Sequence, residues 1–377
     1  MSKRYTANLG AALLASVAIM DPGSLGVGIV GGSLFGLRLL PVLAASWLLA
    51  VWLQDRLAQR GLAEGLRLPT RRFLAGSLLV VGLATSLGEL SGGIAGLQMF
   101  TGISPFWATL IFPWLAGLLL YRRHRRSLLI GVSGLLLILG LAFLVELMLT
   151  GGRPGLSSPW QPGVLRFLYL SLALLGTTVQ PMALYLREAT DPHRGSGHRQ
   201  ATRATFGLGL LINLAVFWLA ATLFYPRGLA VSNWETASQT LGPLLGGDAP
   251  RLFALALTVS GLAAAAVTGG LATLAGLAHL LGKPAIAQPV VRLLFLPLLG
   301  LLLFLDHSPV DLLIASQAAV GLGTPLLLWP VLRGRARADS GSPASYPETH
   351  PRLEYLRALN PEDDAGDPKD RRPAVQR

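Results

Sequence analysis

Three groups of residues in this chain have the chemistry to hold a charged substrate. They are the tetrapeptide Asp21-Pro22-Gly23-Ser24, the dipeptide Gln180-Pro181 with Thr177 and Thr178 just before it, and a lone Glu89. Each interrupts an apolar run. About twelve apolar residues precede Asp21, too few to cross roughly 30 Å of hydrocarbon, so the first interruption is expected inside a membrane rather than in a loop. A carboxylate near the bilayer centre costs about 2.5 kcal/mol or more. Backbone groups freed by a break at that depth need partners, so the break is tolerated where it lines a protein or water-filled cavity. Asp followed by Pro is also ordinary helix-start geometry, with Asp as N-cap and Pro at the first helical position. Both readings hold together if a second half-helix begins at the break. Pro181 lies in the middle of another apolar run, and a helix stopped there leaves carbonyls carrying partial negative charge. With Asp21 those carbonyls make a site for a cation.

The elements that carry these groups follow from composition. Of 377 residues 52% are hydrophobic and 13% charged, about half the charged fraction of a soluble domain. The chain reads as an all-α integral membrane protein. Its net charge of +12 does not indicate nucleic acid, because the Lys and Arg residues sit in short gaps between apolar runs. There is no cysteine, which excludes disulfides, thiolate metal sites and cysteine nucleophiles. Ten runs are long enough to span: about 9–32, 36–53, 73–98, 103–121, 128–150, 164–186, 204–225, 251–281, 286–305 and 311–332. The basic gaps at 3–4, 56–72, 122–126, 187–203, 283 and 333–337 fall on alternate sides from the sparsely charged ones. By the positive-inside rule both termini are cytoplasmic. The segment "MSKRY" and the apolar stretch after it read as a retained first span rather than a cleaved signal. Residues 334–377 are Pro-rich and charged and read as a disordered cytoplasmic tail beyond a transmembrane domain at 1–333.

The breaks fall in spans one and six. Five spans separate them, so the halves at about 9–150 and 164–332 take opposite orientations, the layout of an inverted repeat with a binding site at the midplane. Pro22, Gly23 and Pro181 are then the helix breaks.

These residues carry a resemblance to the NRAMP family of divalent-metal transporters, which has the LeuT-type fold of two inverted five-helix repeats. "DPGS" is similar to the family's Asp-Pro-Gly-Asn, with Ser24 in place of Asn. The stretch "ATSLGELSGGIAGLQMFTGIS" resembles the family's third helix, with Glu89 matching its glutamate, and "SQAAVGLGTPLLLWPVL" matches its Ser-Gln and proline pattern at Ser316, Gln317, Pro325 and Pro330. Where the family's sixth helix reads Met-Pro-His-Asn-Leu-Tyr-Leu-His, this chain has "QPMALYLR", so Gln180 stands at the metal-ligating methionine. The resemblance implies as metal ligands Asp21, Ser24, the carbonyl of Thr177, Gln180 and Gln317, all oxygen donors. Oxygen in place of thioether suits Mg²⁺ or Mn²⁺, and Mg²⁺ gives up water reluctantly, so a roomy, hydrated cage is expected. Met182, two residues on, offers sulfur if the segment shifts register. Among the groups the family links to protons, Ser86 replaces an aspartate and Met182 a histidine, leaving Glu89 as proton or support candidate.

The expected protein is a carrier of divalent cations, Mg²⁺ or Mn²⁺, working by alternating access with weak or no proton coupling. This is similar to the NRAMP-related magnesium transporters, a divergent branch lacking the methionine. The alternatives are a proton-coupled Mn²⁺/Fe²⁺ symporter and a non-metal transporter of the same fold, such as one for amino acids, whose carboxylate Asp21 would repel. No His-Glu-x-x-His, Gly-x-Ser-x-Gly or paired catalytic aspartates occur, so no enzyme is expected. The metal is cargo and no cofactor is implied. The expected setting is the bacterial inner membrane, as a monomer with no nucleic-acid partner. "GVGIVG" at 26–31 fits a dinucleotide fingerprint as a string but follows no strand. Gly92, Gly96, Gly269 and Gly270 read as close contacts between helices.

Overall fold

A computed structural model of the chain describes residues 21–60, 68–121, 126–150, 162–180, 196–281, 289–304 and 308–333. Pro181, Met182 and the segment 334–377 lie outside them. The described residues are helical throughout, apart from short turns. In chain order the helices are α1 (Pro22–Phe35), α2 (Leu40–Arg60), α3 (Leu68–Thr101), α4 (Pro105–Tyr121), α5 (Arg126–Thr150), α6 (Val164–Val179) and α7 (Ser196–Leu223). They are followed by two short pieces, α8 (Trp234–Ser238) and α9 (Gly242–Leu245), then α10 (Ala249–Ala263), α11 (Leu271–Leu281), α12 (Pro289–Gly300) and α13 (Pro309–Arg333). Six stretches are long and apolar enough to cross a membrane: 22–53, 72–101, 131–149, 207–227, 246–278 and 309–329. The first of these is interrupted. Gly36 ends α1 at φ 54°, a conformation that favours glycine, and one 3₁₀ turn leads into α2.

The two helices that bear the sequence breaks are short. At 14 and 16 residues, α1 and α6 extend about 21 and 24 Å, less than the hydrocarbon thickness. Neither crosses the hydrocarbon by itself. The remaining core is built on α3, which packs against α10, α11 and α13. Small residues permit this. A side chain at Gly92 would run into Pro22 and Leu313, and one at Gly96 into the backbone of Ala254 and Thr258, as the close-contact reading of these glycines expects.

Between α10 and α11 the helix widens to π geometry over Ala264–Gly270. There Gly269 lies directly against Ser86 of α3. A π segment in a helix frequently marks a functional site.

Candidate metal site

Asp21 is the N-cap of α1. Its backbone is extended (φ −73°, ψ 166°), and its Oδ1 accepts from the Ser24 N–H at 2.7 Å. The Ser24 hydroxyl donates back to the Asp21 carbonyl at 2.9 Å. Sequence dictates this local turn, since Pro at the first position needs no N–H partner and Asp satisfies the next free donor. Pro22 and Gly23 are consequently helical. The interruption expected at these two residues is a helix start, and they form its first turn.

At the opposing end, α6 stops at Val179, and Gln180 takes a left-handed conformation at φ 44°, ψ 61°. A non-glycine residue there stores strain of about 1–3 kcal/mol, a cost typical of functional sites. Pro181 disfavours continuation of the helix through Gln180. The Gln180 N–H bonds the Gly176 carbonyl at 3.1 Å, so Thr177, Thr178 and Val179 supply the terminal carbonyls with no partner inside the helix.

The two ends meet. Gln180 Nε2 donates to Asp21 Oδ2 at 2.8 Å, and both residues are buried, as are Ser24 and Thr177. Gln317 of α13 and Glu89 of α3 complete the layer, with Gln317 Nε2 donating to Glu89 Oε1 at 3.0 Å. Gly23 lies against both of them, and the Glu89 carboxyl lies beside that of Asp21. Ser86, one turn back along α3, is also fully buried. Among the described residues, Gln317 Oε1, Glu89 Oε2, the Ser86 hydroxyl and the hydroxyls of Thr177 and Thr178 are buried without a hydrogen-bond partner. Such a concentration of unused oxygens is costly unless another species engages them.

One expectation meets a difference. A roomy cage is absent in this conformation, because Gln180 closes directly on Asp21 and presents its amide nitrogen. An ion would fit between them only if the amide turned or withdrew. α1 contributes its amino end, whose partial positive charge Asp21 offsets, and α6 contributes the carbonyl end. No group of three or more His, Cys, Asp or Glu occurs among the described residues. A cation held here would take much of its coordination from neutral oxygens.

Sequence reasoning missed the direct Glu89–Gln317 pair, having assigned the two residues separate roles.

The class is thus an integral membrane protein of packed helices, with a buried oxygen-rich site where two part-length helices abut. The family profile described as "Nramp: Natural resistance-associated macrophage protein-like" matches residues 12–338. The chain belongs to the Nramp family. It is 33% identical to the divalent metal cation transporter MntH of Deinococcus radiodurans, covering 89% of this chain and 83% of that one. It is 29% identical to the protein of the same name from Bacillus subtilis, covering 86% and 82%. These relatives are named as transporters, not enzymes. The fold matches a crystal structure of the Eremococcus coleocola manganese transporter in complex with an aromatic bis-isothiourea substituted compound. The TM-score is 0.66 at 20% identity, covering 96% of this chain and 87% of that one.

Proposed function

We propose that this protein carries divalent metal cations across a bacterial plasma membrane by alternating access, with both termini cytoplasmic. The observation that carries the reading is the Gln180–Asp21 contact, which joins the ends of α1 and α6 at depth. In the ion-bound state the Gln180 amide turns its oxygen inward, and Asp21, Ser24, the Thr177 carbonyl and Gln317 Oε1 complete the coordination. Every donor is oxygen, which favours Mg²⁺ or Mn²⁺ over softer metals. The relatives named above, called divalent metal cation and manganese transporters, support the substrate class. With Ser86 where the family resemblance places an aspartate, little or no proton coupling is proposed.

A second reading rests on Glu89 itself. Two adjacent buried carboxyls hold one negative charge more readily than two, so a cation arriving at Asp21 could release a proton from the pair, as in a proton-coupled symporter.

Reconstitution in liposomes separates the two. Entrapped Mg²⁺-sensitive, Mn²⁺-quenched and pH-sensitive dyes report on the same preparation. Metal influx without acidification supports the uncoupled carrier, and influx with stoichiometric acidification supports the symporter. Inert liposomes would remove both.

A further inference from the structure

The residues between α7 and α8 run down the side of α1. The Tyr225 ring packs on Gly36, the Val231 N–H donates to the Ser33 hydroxyl at 3.4 Å, and the Trp234 indole rests on Gly26. From Gly36 to Gly26 is ten residues of helix, a descent of about 15 Å toward the site. Trp234 then sits five residues above Asp21, about 7.5 Å along the axis. It is buried at 3% exposure, its ring is 6.1 Å from that of Phe253, and its Nε1 has no hydrogen-bond partner.

The same level is closed from the other helices. Leu313 lies one turn from Gln317 on α13, and Gly92 lies three residues from Glu89 on α3. Leu313 packs against both Gly92 and Gly26. Both displacements point the way Gly26 is displaced from Asp21, because α3 runs in the direction of α1 and α13 runs against it. An apolar layer of Gly26, Gly92, Leu313 and Trp234 therefore covers the polar layer of Asp21, Glu89 and Gln317. The packing at Gly26 is close, since a Cβ would fall 2.8 Å from the Leu313 side chain and 2.9 Å from that of Trp234, and one of them would have to shift. Farther out, Phe35 at the end of α1 meets Phe167 at the start of α6 edge to face, with centroids 5.3 Å apart.

We infer that Trp234 is the plug of a gate that seals the Asp21 site from the membrane face bearing residues 225–248, and that this gate is shut in the present conformation. Its mounting suits a movable part. Trp234 is the first residue of a five-residue helix, held by the exposed Asn233, whose Oδ1 accepts from the Thr236 N–H at 2.8 Å. Withdrawing one capped turn opens the layer without unfolding a long helix. On the proposed topology this face is the external one, opposite the basic gaps, and the inference rests on the carrier reading for its purpose.

The natural chain has no cysteine, so accessibility can be read from one introduced thiol. Ser24→Cys places it in the site, and labelling by a membrane-impermeant maleimide is timed from each face of sealed vesicles. If Trp234 holds the open state at about a tenth of the population or less, Trp234→Ala raises the labelling rate about tenfold from the 225–248 face only. Asn233→Ala raises it less, and Trp234→Phe keeps it low. Ser86→Cys, one turn from Glu89 on α3 and buried on the site side of the apolar layer, repeats the test should Ser24→Cys not give a monodisperse protein. Equal labelling with and without Trp234, or an increase from the opposite face, overturns the gate. Because labelling needs no metal, a gate that responds in a protein that moves no ion would retain this inference and remove the carrier reading.

Discussion

Asp21 and Gln180 are 159 residues apart in the chain, yet the Gln180 amide donates to the Asp21 carboxylate at 2.8 Å. One contact thereby joins the amino end of one part-length helix to the carboxyl end of another. In a low-dielectric surrounding that contact is strong. It also holds the site closed until something competes for the carboxylate. A divalent cation would compete, because it would offer Asp21 two charges where the amide offers a dipole.

Asp21→Ala is expected to abolish metal uptake while leaving the protein folded. The residue supplies a carboxylate at the meeting point of α1 and α6, and losing a charged ligand weakens binding by well over the roughly 1.4 kcal/mol that corresponds to tenfold. The cap it provides is worth only about 1 kcal/mol. Dye influx in liposomes and elution on size exclusion check the two halves of the prediction. Uptake at the normal rate would show that the ion travels elsewhere.

Gln180→Met should shift preference toward soft metals. A thioether is a poor ligand for Mg²⁺ and a fair one for Mn²⁺ or Cd²⁺, so the ratio of Cd²⁺ to Mg²⁺ affinity should rise about tenfold, or about 1.4 kcal/mol. The same change removes the donor to Asp21 Oδ2, so the empty site should also be easier to enter. Calorimetry with each ion on the purified protein reads the ratio directly. An unchanged ratio would mean that residue 180 does not touch the ion.

How far such details can be read ahead depends on the range of the interaction behind them. The start of α1 is legible because Asp-Pro is a local signal: the N-cap and the first-position proline are satisfied within one turn. Gly92 and Gly96 were equally readable, since small residues spaced by four on a membrane helix have few other uses. The left-handed Gln180 was not, because a residue before proline is pushed out of the helix without its final conformation being fixed. The π segment at 264–270 is invisible in Ala-Ala-Ala-Val-Thr-Gly-Gly, which reads as plain helix until Ser86 is seen against Gly269. The Glu89–Gln317 pair and the seat of Trp234 on Gly26 depend on tertiary packing, and no local pattern encodes them.

Gly176→Ala should destabilise the pairing of α6 with α13. A Cβ there collides with the Gln317 carbonyl and falls 2.6 Å from the Gly321 N, backbone atoms that cannot swing aside. Overpacking of this kind costs about 1–3 kcal/mol. The loss appears as a lower midpoint when heated samples in detergent are followed by size exclusion. Gly131→Ala is the control, since nothing lies within 4 Å of its Cβ position. Equal midpoints for the two variants would argue that the helices are farther apart than described.

Glu89 and Gln317 should behave as one unit in stability measurements. Gln317 Nε2 donates to Glu89 Oε1 at 3.0 Å in a buried setting. Gln317→Ala leaves that oxygen without its donor, at a cost of about 1–3 kcal/mol. In a Glu89→Ala background there is no acceptor left to strand, so the same Gln317→Ala change should cost much less. The difference is the coupling energy of a double-mutant cycle, expected at about 1 kcal/mol or more for groups in direct contact. Denaturation midpoints of the four proteins in one detergent measure it. Transport adds a second test, because the unpartnered Gln317 Oε1 is the atom proposed to reach the ion. Gln317→Glu keeps an oxygen there but sets a second acid against Glu89. It should lose stability while retaining part of its uptake, whereas Gln317→Leu should lose uptake. If both variants transport at the native rate, Gln317 serves only to hold Glu89 in place.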